Sequence, residues 1–357
     1  GTGFETLQNA IDAAEDGDVI RVGEGTYDPV IVNKSLTITN NSSPIINCGG
    51  IGNGILIQAP NVTIDGFEIT NCTIGIRSYG GPSNYEDLTI RNTEIHSNTQ
   101  NGITLLYDNF NTVTLENLDI HDNGQNGIGL SDGLEIDELI LTNSNIYDNN
   151  HHGIYIASAG TTIDKITADA LEIINNRHSA VTIDSGSSLS DASFSDSLFE
   201  QSDVNFSIRG SATYVNGLII TNSSLSYSPT NHGFWLRDGV LENLLFDNVS
   251  ILDNRHQGFI VSNNGTLTDA IIRNGRIEDN AWGLLTRAST ITNLTADNLD
   301  IKNNFAGSGL SVASGTVNGL NVLNTTFENN AWEHLDIGVG WIGTINVSNI
   351  LLQSNTF

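Results

Sequence analysis

Residues 143–156, NSNIYDNNHHGIYI, contain the pattern that decides the fold. Asn149 closes one hydrophobic run, and four residues later Gly153 opens the next. The same asparagine recurs every 24 to 27 residues, apart from one gap of 78, which is three such intervals. Its copies are Asn98, Asn123, Asn149, Asn176, Asn254, Asn280, Asn304 and Asn330. A repeat of this length, sustained over most of a chain, predicts a solenoid.

A second asparagine ladder keeps the same phase. It comprises Asn92, Asn117, Asn143, Asn222, Asn248, Asn274, Asn298, Asn324 and Asn349, with Ala170 and Asp196 in the two places between Asn143 and Asn222. Asparagine tolerates left-handed backbone angles, and its amide can bond the asparagine of the next turn. We therefore expect both ladders to mark the corners of stacked turns.

Each repeat holds three short runs with alternating apolar residues, such as residues 153–156, 165–168 and 171–174. Such runs are typical of β-strands, and no repeat contains an amphipathic stretch of helix length. The pattern predicts an all-β fold, a single-stranded right-handed parallel β-helix of about 13 rungs, whose neighbouring strands lie about 4.8 Å apart.

The N-terminal residues depart from this pattern. Within and beside residues 5–15, Phe4, Leu7, Ile11 and Ala14 lie on one helical face, and Gly17 follows as a helix-ending glycine. We expect an N-terminal helical cap on a single β-helix domain, residues 1–357, with the cap helix and first strand in 1–22 and the rungs in 23–357. Because the sequence contains no methionine, we expect it to be part of a larger protein.

The charge and hydrophobicity of the chain exclude some classes of binding partner. The net charge of −28 argues against nucleic acid and anionic membranes, and no apolar run is long enough for membrane insertion. Cys48 and Cys72 lie one repeat apart and both follow asparagine, which favours a disulfide or a plain cysteine stack over a metal or redox site. A disulfide would match our expectation of a secreted or cell-surface protein, which we take to be a monomer.

Candidate functional residues fall on one face. Outward positions of the strand after each glycine form a first column of Arg77, Thr104, Gly129, Tyr155, Thr182, Ser207, Trp235, Ile260, Leu285, Ser311 and Asp336. A second column comprises Tyr79, Leu106, Ser131, Ala157, Asp184, Arg209, Arg237, Ser262, Arg287 and Ala313. The corner just before holds His151, His152, Arg177, His178, Asn231, His232, Arg255 and His256. Five of eight histidines and five of ten arginines lie in consecutive rungs of this strip of an acidic protein; the arginines are Arg177, Arg209, Arg237, Arg255 and Arg287.

We interpret this strip as a binding site for one substrate. The catalytic candidates are Tyr155, His152, His178, Asp184, Arg209 and Arg237. The substrate-binding candidates are Arg177, His232, Trp235, Asp238, Arg255, His256 and Arg287. The alternative is structural, since histidine suits corners and aromatic residues often decorate a sheet face.

Two other groups of residues lie outside the strip. His96 and His121 should stack on another face, where a structural role is expected. Carboxylates at the corners, Asp122, Asp148, Asp253 and Asp279, are compatible with Ca²⁺, although solvent is the default, and no metal site or other cofactor is predicted.

The whole chain resembles the pectate-lyase-like β-helix superfamily in its three strands per rung, its asparagine ladders, its helical cap and the segment Gly25-Thr-Tyr27. The repeats HDNGQNGI (121–128) and NRHQGF (254–259) look most like those of mannuronan C5-epimerases and related lyases. In that family an Arg-His-Gly-Phe segment brings an active-site histidine. His256 matches it with Gln257 inserted, and His178 or His152 match equally well. The family's Tyr-Gly-Phe-Asp-Pro-His motif has no counterpart here.

The resulting hypothesis is an enzyme that acts on an acidic, uronate-containing polysaccharide by lyase or epimerase chemistry. Arg209 and Arg237 would neutralise the uronate carboxylate, Tyr155, His152 or His178 would act as base and acid, and Trp235 would stack on a sugar ring. One alternative is a glycoside hydrolase that uses Asp184 and Asp238 as its carboxylate pair. Another is a non-catalytic adhesin or carbohydrate-binding β-helix.

Overall fold

The computed structural model describes residues 3–40, 42–80, 85–338 and 345–357. The chain divides into two compact units, residues 1–177 and 178–357, and each of them is a stack of parallel β-strands. Among the described residues, no helix is long and apolar enough to cross a membrane.

The first unit contains one short helix and eighteen strands among its described residues. They are α1 (Leu7–Ala13), β1 (Val19–Val22), β2 (Thr26–Tyr27), β3 (Val30–Val32), β4 (Thr37–Asn40), β5 (Ile45–Asn47), β6 (Asn53–Ile57), β7 (Val62–Asp65), β8 (Glu68–Thr70), β9 (Ile74–Ser78), β10 (Glu86–Arg91), β11 (Glu94–His96), β12 (Ile103–Leu106), β13 (Asn109–Glu116), β14 (Asp119–His121), β15 (Ile128–Ser131), β16 (Glu135–Tyr147), β17 (Ile154–Ile156) and β18 (Thr162–Ile174).

The second unit continues the same pattern of short strands. They are β19 (Ser179–Ile183), β20 (Ser188–Ser195), β21 (Leu198–Glu200), β22 (Val204–Arg209), β23 (Tyr214–Thr221), β24 (Ser224–Ser226), β25 (Phe234–Arg237), β26 (Val240–Glu242), β27 (Leu245–Asp247), β28 (Ser250–Leu252), β29 (Gln257–Ser262), β30 (Thr266–Arg273), β31 (Arg276–Glu278), β32 (Trp282–Arg287), β33 (Ser289–Asp297), β34 (Asp300–Lys302), β35 (Leu310–Val312), β36 (Gly315–Leu323), β37 (Thr326–Glu328), β38 (Leu335–Ile337) and β39 (Ile345–Gln353).

Within each unit the strands form two kinds of sheet. The glycine-strand sheet contains β3, β6, β9, β12, β15 and β17 in the first unit, and β19, β22, β25, β29, β32, β35 and β38 in the second. The remaining strands form the wide sheet of each unit. Pairing within both sheets is parallel and joins residues one repeat apart, as in Ile103 with Ile128. The six and seven glycine strands of the described residues confirm the all-β parallel solenoid of about 13 rungs.

The interior of each unit is filled by stacked apolar side chains. In the second unit, Phe206, Phe234 and Phe259 follow one another on neighbouring strands and are fully buried. Their ring centroids are 5.8 and 4.7 Å apart, and both pairs stack nearly parallel. Burial of each such side chain contributes about 1.5–3 kcal/mol, so the repeated stack supplies much of the stability.

The two asparagine ladders have different structural roles at the corners. Members of the ladder of Asn149 are buried. Where the next coil also has the asparagine, the amide donates to it, for example from Asn123 Nδ2 to Asn149 Oδ1 over 3.0 Å and from Asn254 Nδ2 to Asn280 Oδ1 over 2.9 Å. Positions of the second ladder have φ between 48° and 57°, including its substitutes Ala170 and Asp196. The first ladder therefore saturates buried polar groups, and the second supplies the left-handed bend.

The helical cap is confirmed, but it is shorter than expected. It runs from Leu7 to Ala13 rather than from residue 5 to 15, because Thr6 caps its start and Ala14 is already extended. Lys34 Nζ donates to the carbonyl oxygens of Ile11, Asp12 and Ala14, so a lysine satisfies the helix end that we had assigned to Gly17.

The helix buries only part of the predicted apolar face. Leu7 and Ile11 are buried, whereas Phe4 precedes the helix and is 52% exposed. The helix packs on β1 and β3. One rung further along the chain, Cys48 and Cys72 form a disulfide, which resolves the choice between a bond and a plain stack.

Candidate functional site

The glycine-strand sheet arranges its outward residues in the predicted columns within each unit. In the first unit, Thr104 pairs with Arg77 and Gly129, and Gly129 pairs with Tyr155. In the second unit, the first column runs through Thr182, Ser207, Trp235, Ile260, Leu285, Ser311 and Asp336. The second column there joins Arg209, Arg237, Ser262 and Arg287.

Two arginines stand side by side in the second unit, each held by a carboxylate. Arg209 Nε lies 2.7 Å from Asp184 Oδ2, and Arg237 Nε lies 3.3 Å from Asp238 Oδ2. The arginine side chains remain 35% and 45% exposed. Each guanidinium therefore has a fixed direction while its contact to the carboxylate uses one of five N–H groups.

Trp235 is held beside these arginines. Its indole Nε1 donates to Ser262 Oγ over 2.9 Å, and the Arg237 guanidinium lies 5.3 Å from its ring centroid. The preceding positions of this column, Thr182 and Ser207, are buried and share a hydrogen bond of 2.7 Å. The small buried hydroxyls of Thr182 and Ser207 thus lie next to the partly exposed indole of Trp235. The surface is therefore lower on the side of Ser207 and is bordered by an aromatic ring.

His232 packs against the same indole and is neutral. Its ring lies 4.9 Å from the Trp235 ring, and it is only 6% exposed. Burial lowers the pKa of His232 to about 3, the charge of His256 adds to this effect, and Asp203 opposes it. The Gln257 backbone N–H donates to Nδ1 over 3.3 Å, so the ring proton resides on Nε2. His232 can position a ligand by hydrogen bonding, but it offers no positive charge at neutral pH.

An apolar patch extends the second-unit face beyond Trp235. Ile260, Leu285 and Ala313 are buried together, and Trp235 and Trp282 pack against them. Trp282 also meets Trp332 at 4.8 Å between ring centroids. Our sequence reasoning missed Trp282 and Trp332, although the repeated segment Asn-Ala-Trp at 280–282 and 330–332 signals them.

In the first unit, the structure brings two catalytic candidates together. The rings of His152 and Tyr155 stack at 4.8 Å with an interplanar angle of 8°, and His152 is buried. Arg177 is exposed and donates to Asn150 Oδ1 over 3.1 Å. A buried imidazole on a phenol ring fixes both groups in one orientation, as acid–base chemistry requires.

The remaining candidates lie at the exposed corner or on the rim of the second unit. His178, Arg255, His256 and Arg287 are all exposed. His256 is the edge-on neighbour of His232, at 5.7 Å between ring centroids. In all, three of the thirteen candidates belong to the first unit and ten to the second.

One group of potential metal ligands lies away from this strip. Among the described residues, Glu94, His96 and His121 place one ligand atom each within 4.8 Å of the others. They belong to the wide sheet of the first unit, and the rings of His96 and His121 stack at 5.0 Å as predicted. The corner carboxylates Asp122, Asp148, Asp253 and Asp279 form no such group within the part of the chain that the structure describes.

Comparison with protein families decides the classification. The family described as "Right handed beta helix region" matches residues 24–138 and 135–306. The chain belongs to this right-handed β-helix family. The match confirms the family resemblance and the handedness expected for this β-helix chain.

Individual relatives share less with this β-helix protein. Over 77 residues it is 44% identical to a cell surface glycoprotein of Methanothermus fervidus, a match that covers 20% of this chain and only 13% of that protein. A periplasmic alginate epimerase mutant aligns with 98% of this chain and 84% of its own at 12% identity and a TM-score of 0.49.

Two further solved structures show the same level of similarity. The catalytic domain of an α-1,3-glucanase in complex with nigerose aligns with 100% of this chain and 68% of its own, at 12% identity and a TM-score of 0.49. A mannuronan C-5 epimerase A-module of Azotobacter vinelandii aligns with 97% and 94%, at 14% identity and a TM-score of 0.42. Similarities this low leave the activity of the β-helix protein to be argued from its own residues.

Proposed function

We propose that this chain binds an acidic, uronate-containing polysaccharide along the outward face of its glycine-strand sheet and modifies it by lyase or epimerase chemistry. The observation that carries the proposal is the group formed by Trp235, Arg237 and Arg209 in the second unit. An indole beside two guanidinium groups, one strand apart, offers a stacking surface for a sugar ring and forks for its carboxylate.

Electrostatics favours an anionic ligand at this group. The chain carries a net charge of −28, so its average field repels a polyanion. Arg209 and Arg237 are held in direction by Asp184 and Asp238, and their exposed terminal N–H groups can receive a uronate carboxylate bidentately. Because these contacts pair charged groups, binding should depend on the ligand's carboxylates.

The proposed chemistry gives named roles to groups of the second unit. Removal of the proton next to a uronate carboxylate needs neutralisation of that carboxylate, a base and an acid. Arg209 and Arg237 serve the first role, and His178 of the same unit serves as the acid–base group. In the first unit, Tyr155 and His152 stack in parallel and form a separate acid–base candidate pair.

The glycoside hydrolase alternative gains less support. Asp184 Oδ2 binds Arg209 and Asp238 Oδ2 binds Arg237, so each carboxylate already has a cationic partner. A hydrolase needs one of its two carboxyl groups protonated as the general acid, and a guanidinium neighbour favours the ionised form.

A non-catalytic glycan-binding role at the cell surface is the second candidate. The matched relative is named a cell surface glycoprotein, and the Cys48–Cys72 disulfide suits an oxidising compartment. We therefore propose an extracytoplasmic location under either function.

The binding proposal is tested by calorimetric titration of oligogalacturonate and oligomannuronate into the protein and its variants. Arg209→Gln and Arg237→Gln should each weaken binding about 10-fold, the loss of one charge-assisted hydrogen-bonded contact. The matched control is Arg273→Gln, since Arg273 forms the same kind of ion pair, with Asp247, on the wide sheet of the second unit. Equal losses in all three variants would contradict the proposal.

Product analysis separates the chemistries. Ultraviolet absorbance of an unsaturated uronate identifies a lyase, and a change at C5 in the proton NMR spectrum of the polymer identifies an epimerase. New reducing ends without absorbance would identify a hydrolase. Binding without any product would replace the enzyme by the cell-surface binding module.

A further inference from the structure

The wide sheet of the first unit places acidic and imidazole side chains in two adjoining rows. Glu68, Glu94 and Asp119 pair with one another on β8, β11 and β14. Two residues further along the same strands, His96 pairs with His121, and His121 pairs with Tyr147 of β16. Residues two apart on a strand share a face, so the two rows face the same side.

We propose that Glu94, His96 and His121 form a Zn²⁺ site. His121 Nε2 lies 3.2 Å from Glu94 Oε1, and His96 Nε2 lies 3.9 Å from the same oxygen. The three ligand atoms all lie within 4.8 Å of one another. Bonds to a tetrahedral zinc ion would bring them to about 3.3 Å, so the two stacked rings, whose planes are 6° apart, must tilt toward a common point to complete the site.

The outer hydrogen bonds of both histidines prepare Nε2 for a metal. His121 Nδ1 lies 2.8 Å from Asp122 Oδ2, and His96 Nδ1 lies 3.0 Å from Ser97 Oγ. A carboxylate on Nδ1 holds the proton there, orients the ring and leaves the Nε2 lone pair for the metal, as in carboxylate–histidine–zinc triads. In His121, Asp122 therefore fixes Nδ1, and Nε2 is the nitrogen that would bind the metal.

Further carboxylate oxygens lie next to the proposed site. Glu68 Oε1 lies 3.3 Å from His96 Nε2. Glu68, Glu94 and Asp119 line a surface depression of about 270 Å³. Asp119 Oδ1 is buried and has no hydrogen-bond partner among the described residues. A bound cation would offset this accumulation of carboxylates.

The site would join neighbouring coils. Glu94 and His96 come from β11 and His121 comes from β14, so one ion would cross-link two strands that are one repeat apart. The side chains of His96 and His121 are only 20% and 14% exposed, which limits exchange with solvent. We infer a structural role, comparable to that of the Cys48–Cys72 disulfide, and independent of the polysaccharide proposal.

The test titrates Zn²⁺ alone into the chelator-treated protein by calorimetry. One ion per chain is expected, together with a higher thermal unfolding temperature. His121→Gln and His96→Gln should each reduce the affinity at least about 100-fold, and Asp122→Asn should reduce it about 10- to 100-fold through the outer hydrogen bond. His151→Gln, which removes a histidine elsewhere in the first unit, should bind zinc like the wild type.

Co²⁺ in place of zinc gives an independent readout that does not depend on stability. The wild type should show the visible absorption of a tetrahedral nitrogen–oxygen site, and His121→Gln should lose it. Circular dichroism checks the folding of each variant, and Glu94→Gln replaces any histidine variant that does not fold. Absence of stoichiometric zinc, or wild-type affinity in both His96→Gln and His121→Gln, would overturn the proposal.

Discussion

The buried asparagine ladder and the outward column of Trp235 share the same spacing but differ in composition. In the ladder, asparagine returns in most coils, because its amide donates to the asparagine of the next coil, as Asn280 Nδ2 does to Asn304 Oδ1. In the column, Ser207, Trp235 and Ile260 follow one another, and each type differs from its neighbours. Uniform positions therefore maintain the fold, whereas variable positions in the same register are free to carry function.

The largest expected effect comes from breaking the ladder. Asn280→Ala should reduce the free energy of unfolding by about 3 kcal/mol, because the Asn254 N–H and amide both lose their acceptor in a buried position. Asn274→Ala, at an exposed position of the second ladder with φ of 57°, should cost about 1 kcal/mol. Urea unfolding of both variants checks the order, and equal losses would contradict the division of work between the ladders.

A glycine next to the ladder gives the second effect. A Cβ at Gly233 would lie 2.6 Å from Ile251 Cγ2 and 2.8 Å from Asn254 Nδ2. We expect Gly233→Ala to cost about 2 kcal/mol in urea unfolding through overpacking. The cost should shrink in part in an Asn254→Ser background, because the Gly258 carbonyl oxygen still lies 2.7 Å from the added Cβ. An undiminished cost would show that the ladder asparagine does not help to exclude a side chain there.

His232 should make stability depend on pH. Its folded pKa is about 3, below the unfolded value of about 6.5, so the unfolded state binds the proton first as the pH falls. The stability that neutral His232 contributes is fully present above the unfolded pKa and is lost as the pH falls from 6.5 to 3. From pH 7 to pH 5, the wild type should lose about 2 kcal/mol more than His232→Gln in urea unfolding. Parallel losses would indicate that other groups control this range.

The smallest effect on stability, and the most specific effect on binding, is expected at Trp235. Trp235→Ala should weaken uronate binding about 10-fold through loss of the stacking surface, since an aromatic contact contributes about 1.4 kcal/mol. Tyr214→Ala is the matched control, because Tyr214 is an exposed aromatic residue on the wide sheet of the second unit. Calorimetric titration distinguishes the two, and equal weakening would remove Trp235 from the site.

The sequence predicted the columns because parallel pairing converts one repeat into one strand spacing. The alignment of Arg209 with Arg237 and of Ser207 with Trp235 follows from counting residues. The ion pair of Arg209 with Asp184 did not follow, since it depends on side-chain rotamers that periodicity does not determine. The early end of the helix could not be predicted either, because the side chain of Lys34, about 20 residues along the chain, donates to the last helix carbonyls.

Other residues were missed because their role depends on contacts with side chains of neighbouring strands. Glu94 lies two residues before His96 and opposite Asp119, so its place beside two imidazoles required the register of three strands. Asn205 occupies the position of Gly233 in the next coil and of Ala180 in the preceding one, and its amide donates to Asn254 Oδ1. It fits because Ser228 replaces the ladder asparagine of the adjoining coil, where the Ser228 N–H also bonds Asn254.

The most direct measurement of the central proposal compares one uronate oligosaccharide with its carboxyl-reduced form by calorimetric titration. If Arg209 and Arg237 receive the ligand's carboxylates, the acidic oligomer should bind at least about 10-fold more tightly than the reduced one. The difference should shrink in Arg237→Gln and persist in Arg273→Gln. Equal affinity of the wild type for both oligomers would contradict the account.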